Sequence, residues 1–225
     1  RINFLELLRA GHDAYTLNQA ALTYMAEHKL PCAQLQALTP LAPAAWTGQA
    51  AWQALLDQQS ITDPRHVRVV TEGALLGTVV AHGVAPDLAI VSDDAGQFDV
   101  LTHALCWIHA ERVLARLLGF NEAQRAALAS TRSELWAIYD ALKAYKDAPD
   151  ALTAAAIEAR FEKLCGTRTG YASLDQALKR MRRNQKELLR VLQRPELPLH
   201  NNLSESDIRD YVKKRKISGS TRSPS

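Results

Sequence analysis

Cysteine is scarce in this chain: Cys32, Cys106 and Cys165 are its only three in 225 residues, an odd number set far apart. That excludes a disulfide framework and fits a reduced, cytoplasmic protein. A large excess of either charge is also missing, since 27 basic residues stand against 24 acidic ones for a net charge of +3. Bulk charge therefore identifies no polyanion as partner. No apolar run is suited to spanning a bilayer, because the longest, near Gly73 to Ile90, is interrupted by His82, Pro86 and Asp87. No signal peptide opens at Arg1-Ile2-Asn3-Phe4, and no internal repeat is evident. Gly73 to Gly77 is not a phosphate loop, since the Lys-Ser/Thr ending is absent, and no Gly-x-Ser-x-Gly elbow occurs.

What is present is apolar content for a core, at 47%. Helical spacing of Phe4, Leu5 and Leu8, then of Leu17, Ala21, Tyr24 and Met25, predicts a short helix and a longer one over Tyr15 to His28, broken at Gly11. From Pro31 to Asp63 the spacing predicts short helices packed by Trp46 and Trp52. Asp63 before Pro64 reads as the cap and first residue of a helix over Arg65 to Ala81, favoured over the strand that its Val-Val and Thr-Val-Val content would also suit, and ended by Gly83 and Pro86.

The next stretch, Leu88-Ala89-Ile90-Val91-Ser92-Asp93-Asp94-Ala95-Gly96, is a short apolar strand that delivers two acids to its carboxyl end, the edge where open α/β sheets bind ligands. A helix is expected from Phe98 to Leu118. It contains Cys106-Trp107-Ile108-His109-Ala110-Glu111-Arg112. From Asn121 to Gln193 the chain reads as long helical hairpins, with loops at Asp147-Ala148-Pro149 and Gly166 to Gly170. The last of these helices carries Lys179, Arg180, Arg182, Arg183, Lys186 and Arg190 off its apolar stripe, a solvated face or a set of phosphate contacts. A final helix through Glu205 runs into Lys213-Lys214-Arg215-Lys216.

Each acid has two readings. Carboxylates that hold divalent ions run phosphoryl transfer, and hard oxygen ligands suit magnesium or manganese. Asp93, Asp94 and Glu205 are the candidates. Against that, one of the aspartates fits an N-cap of the Phe98 helix, and Asn202 with Glu205 nearly makes a capping box. Cys106 and His109 lack a second ligand pair with zinc spacing.

Taken in order, Val91 to Phe98, Cys106 to Arg112 and Leu199-His200-Asn201-Asn202-Leu203-Ser204-Glu205 resemble the catalytic core of DDE-type insertion-sequence transposases, the insertion-sequence sixty-six family in particular. The resemblance covers Leu88 to Thr221 well and the N-terminal third only loosely. It implies an α/β, partial ribonuclease-H-like fold, mostly helical, with few strands and a helical insertion between the second Asp and the Glu. It implies Asp93 as the second catalytic aspartate and Glu205 as the catalytic glutamate, both metal ligands, with Asp94 as second choice for Asp93. It further implies Cys106 and His109 as site-positioning residues, Mg2+ or Mn2+ as cofactor, and transposon-end and target DNA as partners. Arg112, Arg182, Arg183, Lys186, Lys213, Lys214, Arg215 and Lys216 would meet phosphate, and the full-length enzyme would be a homo-oligomer.

On this reading the chain divides into a helical segment at 1–63, a partial core at 64–119, the insertion at 120–197, the Glu helix with its basic end at 198–217, and a polar tail at 218–225. One departure matters: no strand ending in a first aspartate stands ahead of Asp93. The expectation is a piece of a transposase, inactive by itself. A non-catalytic helical DNA-binding or assembly module and a ribonuclease-H-like nuclease remain the alternatives.

Overall fold

The computed structural model describes residues 1–94, 96–98 and 100–201. Among them the chain is mostly helical with few strands. It forms two compact units, one of residues 1–90 with 95–102, the other of 91–94 with the chain from 103 on.

In the first unit α1 (Ile2–Leu8) precedes β1 (Ala14–Leu17) and α2 (Gln19–Glu27). Then come α3 (Cys32–Leu38), β2 (Ala44–Thr47), α4 (Gln49–Gln58) and the long α5 (Pro64–Ala81). The two strands correct the all-helical expectation for this region, which places Tyr15 and the Pro31 to Asp63 stretch in helices. Tyr15 and Leu17 alternate inward along β1 while Ala14 and Thr16 do not, a two-residue period too short to stand out beside the helix that follows. β1 and β2 pair antiparallel, with Ala14 opposite Thr47 and Leu17 opposite Ala44.

That pairing also exposes a duplication that the sequence hides. Each strand passes through a single residue, Asn18 or Gly48, into a helix. Each helix then ends on a left-handed residue, Lys29 (φ 58°) or Ser60 (φ 54°). The next residue is apolar, and its N–H returns to the helix: Leu30 donates to the Met25 carbonyl at 3.0 Å and Ile61 to the Leu56 carbonyl at 2.9 Å. This is the same hydrogen-bonded helix stop built twice.

α5 is the spine of this unit. Asp63 caps it, accepting from the Arg65 and His66 amides at 2.9 and 3.0 Å. Two glycines in its middle cost helix propensity, about 1 kcal/mol each relative to alanine. They let the neighbours in: a Cβ on Gly77 would lie 2.1 Å from the Thr16 carbonyl oxygen, and one on Gly73 would lie 2.9 Å from Met25. Thr78 Oγ1 then donates to the Ala14 carbonyl at 2.9 Å, and Asn18 Nδ2 to that of Gly77 at the same distance. A buried carboxylate, Glu72, accepts from Tyr24 Oη at 2.8 Å. Burial and this bond push the Tyr24 hydroxyl well above its ordinary range.

β3 (Ala89–Ser92) and β4 (Thr102–Leu105) pair with each other, and the division between the units runs through them. Thr102 N–H donates to the Leu88 carbonyl and Cys106 N–H to that of Ser92. The partners advance together, the pattern of a parallel pair. The helix expected from Phe98 to Leu118 is thereby shortened to α6 (Trp107–Ala115); before it stand a 3-10 turn over Gly96–Phe98, Leu101 at φ 57°, and β4. The ladder to β3 satisfies backbone groups that the helical stripe through Leu101 and Leu105 would have paired within a helix.

The second unit continues through α7 (Glu122–Asp147), α8 (Ala151–Gly166), α9 (Ala172–Arg183) and α10 (Gln185–Leu188). Asn121 and Asp150 cap α7 and α8, each accepting at 2.8 Å from the amide three residues on. The seam Leu135, Ile138, Leu142 and Tyr145 is buried as its spacing requires. The basic helix expected to continue beyond Arg183 is broken at Asn184. Among the described residues no helix is long and apolar enough to cross a membrane.

Candidate active site

The site is built on the end of β3. Ser92 is buried there, while Asp93 and Asp94 are exposed beyond it. Ser92 Oγ lies 2.6 Å from the Asp93 carbonyl, to which it donates, and 2.8 Å from His103 Nε2. A hydroxyl has one proton to give, so the proton in the second bond belongs to His103, which makes Nε2 its donor nitrogen. His103 is buried on β4, and its carbonyl accepts from Arg190 Nε at 3.2 Å. Sequence reasoning misses this clamp on the strand end, because His103 looks like one of several patternless histidines. Its partner Ser92 is 11 residues away, and only the parallel pairing brings them together.

The Phe98 helix that one of the aspartates is expected to cap does not form among the described residues. The Asp94 carboxylate pairs with the guanidinium of Arg180 on α9. One face of the basic helix therefore reaches the strand end, while Lys179, Arg182, Arg183 and Lys186 are exposed.

The Cys-x-x-His helix does its work through backbone and tryptophan. Cys106 is buried, and its N–H holds Ser92 at 2.8 Å. The next amide, that of Trp107, donates to the Leu199 carbonyl at 2.9 Å. Two consecutive amides thus bracket the residue before Asp93 and the residue that opens the Leu-His-Asn-Asn stretch. Trp107 Nε1 donates to the Leu188 carbonyl at 2.8 Å, and its ring meets Phe161 edge-on at 6.0 Å. His109 and Arg112 are half-buried on α6. On the same helix buried Glu111 accepts from Arg132 Nε of α7 at 2.7 Å. Sequence reasoning misses that pair also, because 21 residues separate its members.

Past Leu199, His200 Nδ1 and Asn201 Oδ1 are buried and meet no hydrogen-bond partner among the described residues. Glu205, Lys213, Lys214, Arg215 and Lys216 lie outside the described residues. Among the described ones no three His, Cys, Asp or Glu side chains gather as a metal-binding group. Neither strand ahead of β3 runs into an acid, since β1 is followed by Asn18 and β2 by Gly48.

The profile of the Transposase IS66 family matches residues 90–225, from within β3, the strand that leads into Asp93, onward. The chain belongs to that family. The chain is also similar to the uncharacterized protein y4jO of Sinorhizobium fredii (strain NBRC 101917 / NGR234), 42% identical over 225 residues, covering 99% of this chain and 70% of that protein. The likeness to y4jO therefore includes residues 1–89, which the IS66 profile leaves out. No solved structure matches the chain.

Proposed function

We propose that this IS66 family member contributes the second aspartate and the glutamate of a DDE-type strand-transfer site, Asp93 and Glu205, on a ribonuclease-H-like core. The observation that carries the reading is the pair of amides at Cys106 and Trp107, one holding Ser92 and the other Leu199. They bring the neighbour of Asp93 and the approach to Glu205 to adjacent residues of one helix start. Cys106 acts here as a positioning residue, with His109 on the following turn.

Between the two strand-end acids, Asp93 is the metal ligand by its place in the family's motif order, and Asp94, whose carboxylate pairs with Arg180, is the tether to α9. Asp93 is exposed and offers hard oxygen, the donor type that suits Mg2+ or Mn2+. Asp93 and Glu205 would hold a divalent ion, which would supply charge stabilisation at the phosphate oxygens that change bonds. The protein positions the acids, and its cations, Arg112, Arg182, Arg183, Lys186 and the Lys213 to Lys216 run, hold the DNA backbone. The whole enzyme cuts transposon ends and joins 3′-hydroxyls to target DNA as a homo-oligomer in the cytoplasm. Residues 1–225 alone do not join DNA, since two of three carboxylates hold the ions poorly.

The test is strand transfer by the full-length protein with magnesium. Glu205→Gln and Asp93→Asn each abolish joining, and Asp94→Asn retains most of it. Joining at the wild-type rate by Glu205→Gln overturns the catalytic assignment; loss with Asp94→Asn alone exchanges the roles of the two aspartates.

A further inference from the structure

The turn between α8 and α9 encloses an open groove of about 450 Å3, lined by residues 165–168 and, on α9, by Asp175, Gln176, Lys179 and Arg182. Three cations face it: Arg168 from the turn, and Lys179 and Arg182 from the helix. None of the three forms an ion pair among the described residues, whereas nearby Arg160 and Arg180 are taken by Glu134 and Asp94.

The one acid in the groove is occupied. Asp175 Oδ1 accepts from the Thr169 amide at 2.8 Å and from Thr169 Oγ1 at 2.7 Å. These bonds, with a smaller contribution from Arg168, hold its carboxyl below the usual range, so it stays ionised. The groove nevertheless keeps an excess of positive charge, three cations against one carboxylate. Its other ionisable wall, Cys165, is a neutral thiol, since burial pushes it up to about 12. Three like charges gathered around a single carboxylate leave a net repulsion, and an anion seated among them relieves it.

The lining also narrows the kind of anion. No aromatic ring and no large apolar side chain borders the groove, so nothing there would stack on a base or enclose a nucleoside. Lys179 and Arg182 lie three residues apart on one face of α9, with exposed Arg183 beside them and Gln176 one turn back. At 1.5 Å per residue, Gln176 to Arg183 covers about 10 Å, and each strand of duplex DNA carries a charge every ~3.4 Å of the axis. A continuous backbone meets this row at several phosphates, and a free phosphate fills only one position of it.

We propose that the α8–α9 groove, centred on Arg168, Lys179 and Arg182, is a docking site for the DNA phosphate backbone. It rests on the DNA-handling reading above and adds Arg168, Lys179 and a location to it. Arg180, the neighbour of Lys179, holds Asp94 at the strand end. One helix therefore joins the groove to the residue beside Asp93.

The experiment measures binding of the full 225-residue chain to a labelled duplex of mixed sequence across a salt series. Each cation withdrawn from a phosphate should flatten the slope of log K against log salt by about 0.9. Arg168→Ala with Lys179→Ala is expected to flatten it by about 1.8 and to weaken binding at low salt. Arg168→Lys with Lys179→Arg, which keeps both charges, should keep the slope. Lys143→Ala, on α7 beside Asp140, should leave it unchanged and so controls for net charge. An unchanged slope in the double alanine variant overturns the groove, as does a wild-type chain that does not bind the duplex. Binding of poly-glutamate that disappears in the alanine variant, with duplex binding kept, overturns it in favour of an acidic protein partner. The Glu205→Gln joining assay fails or succeeds independently: a flattened slope with wild-type joining by Glu205→Gln keeps the groove and removes the catalytic assignment.

Discussion

The two units reach a packed interior by opposite means. The first closes its core by backbone approach, with glycines in α5 admitting the Thr16 carbonyl and Met25, and it tolerates a buried carboxylate at Glu72. The second closes on one large ring: Trp107 is 2% exposed, meets Phe161, and uses both its amide and its indole N–H to hold the chain at Leu199 and Leu188. The strand-end acids and the clamp that fixes them lie in the second unit, and the IS66 profile begins within one residue of it. A core pinned by hydrogen bonds from one tryptophan also fixes where distant segments meet, which is what a site assembled from separated residues requires.

Trp107→Ala breaks this comparison most strongly. It removes a buried ring together with the indole bond to Leu188, for an expected cost of about 3–5 kcal/mol, and it should loosen the Leu199 approach. Amide exchange read residue by residue should locate the loss in α6 to α9 and leave α2 and α5 protected. Loss of protection in both units at once shows that they unfold as one.

Gly77→Ala tests the other mode. A Cβ 2.1 Å from a carbonyl oxygen cannot be absorbed by a side-chain rotation; the helix and β1 must separate, at about 1–3 kcal/mol or somewhat more. Urea unfolding should show the loss, although alanine is the better helix former by about 1 kcal/mol. A stabilised variant shows that close approach does not hold the first unit together.

Local signals in the sequence are readable. Asp63 reads as a cap before Pro64 and is one, whereas Asn121 and Asp150 cap their helices without spacing alone singling them out. The α7 seam and the β3 strand need only spacing. What the sequence hides is long-range or brief: β1 and β2 are four residues each, and β4 sits inside a helical stripe. The duplicated strand-helix element shares little beyond Gln19-Ala20-Ala21 and Gln49-Ala50-Ala51. Ser92 with His103, Asp94 with Arg180 and Trp107 with Leu199 are pairings that only the folded chain creates. The aspartates can be named as candidates from their place after an apolar run, but their separate fates cannot be read there, because Arg180 is 86 residues from Asp94.

Tyr24→Phe sharpens the contrast on the polar side of the first core. It deletes the hydroxyl that donates to Glu72 and leaves the ring in place. A buried carboxylate deprived of a donor is the expensive outcome, so a loss of about 1–3 kcal/mol is expected. Glu72→Gln made together with it should recover part of that loss, since the amide carries no charge to bury. A double variant less stable than Tyr24→Phe alone shows that Arg1, at 3.7 Å, already balances the carboxylate.

The smallest effect belongs to the surface of the second unit, where Glu134 of α7 pairs with Arg160 of α8. The guanidinium hydrogen bond holds the Glu134 carboxyl below its ordinary value, and burial opposes it weakly. A carboxyl depressed on folding stabilises the folded state above its unfolded pKa, and that contribution disappears as pH falls through the folded value. The α7–α8 hairpin should therefore lose a little stability on acidification below the ordinary glutamate range. Both side chains are more than a third exposed, so solvent screens the pair and the loss stays small. Glu134→Gln should abolish that pH-dependent difference while leaving the apolar seam intact, and high salt should shrink it in the wild type. If the difference survives Glu134→Gln, it originates at Asp150 or Asp175, whose carboxyls are held low by hydrogen bonds from Thr153 and Thr169.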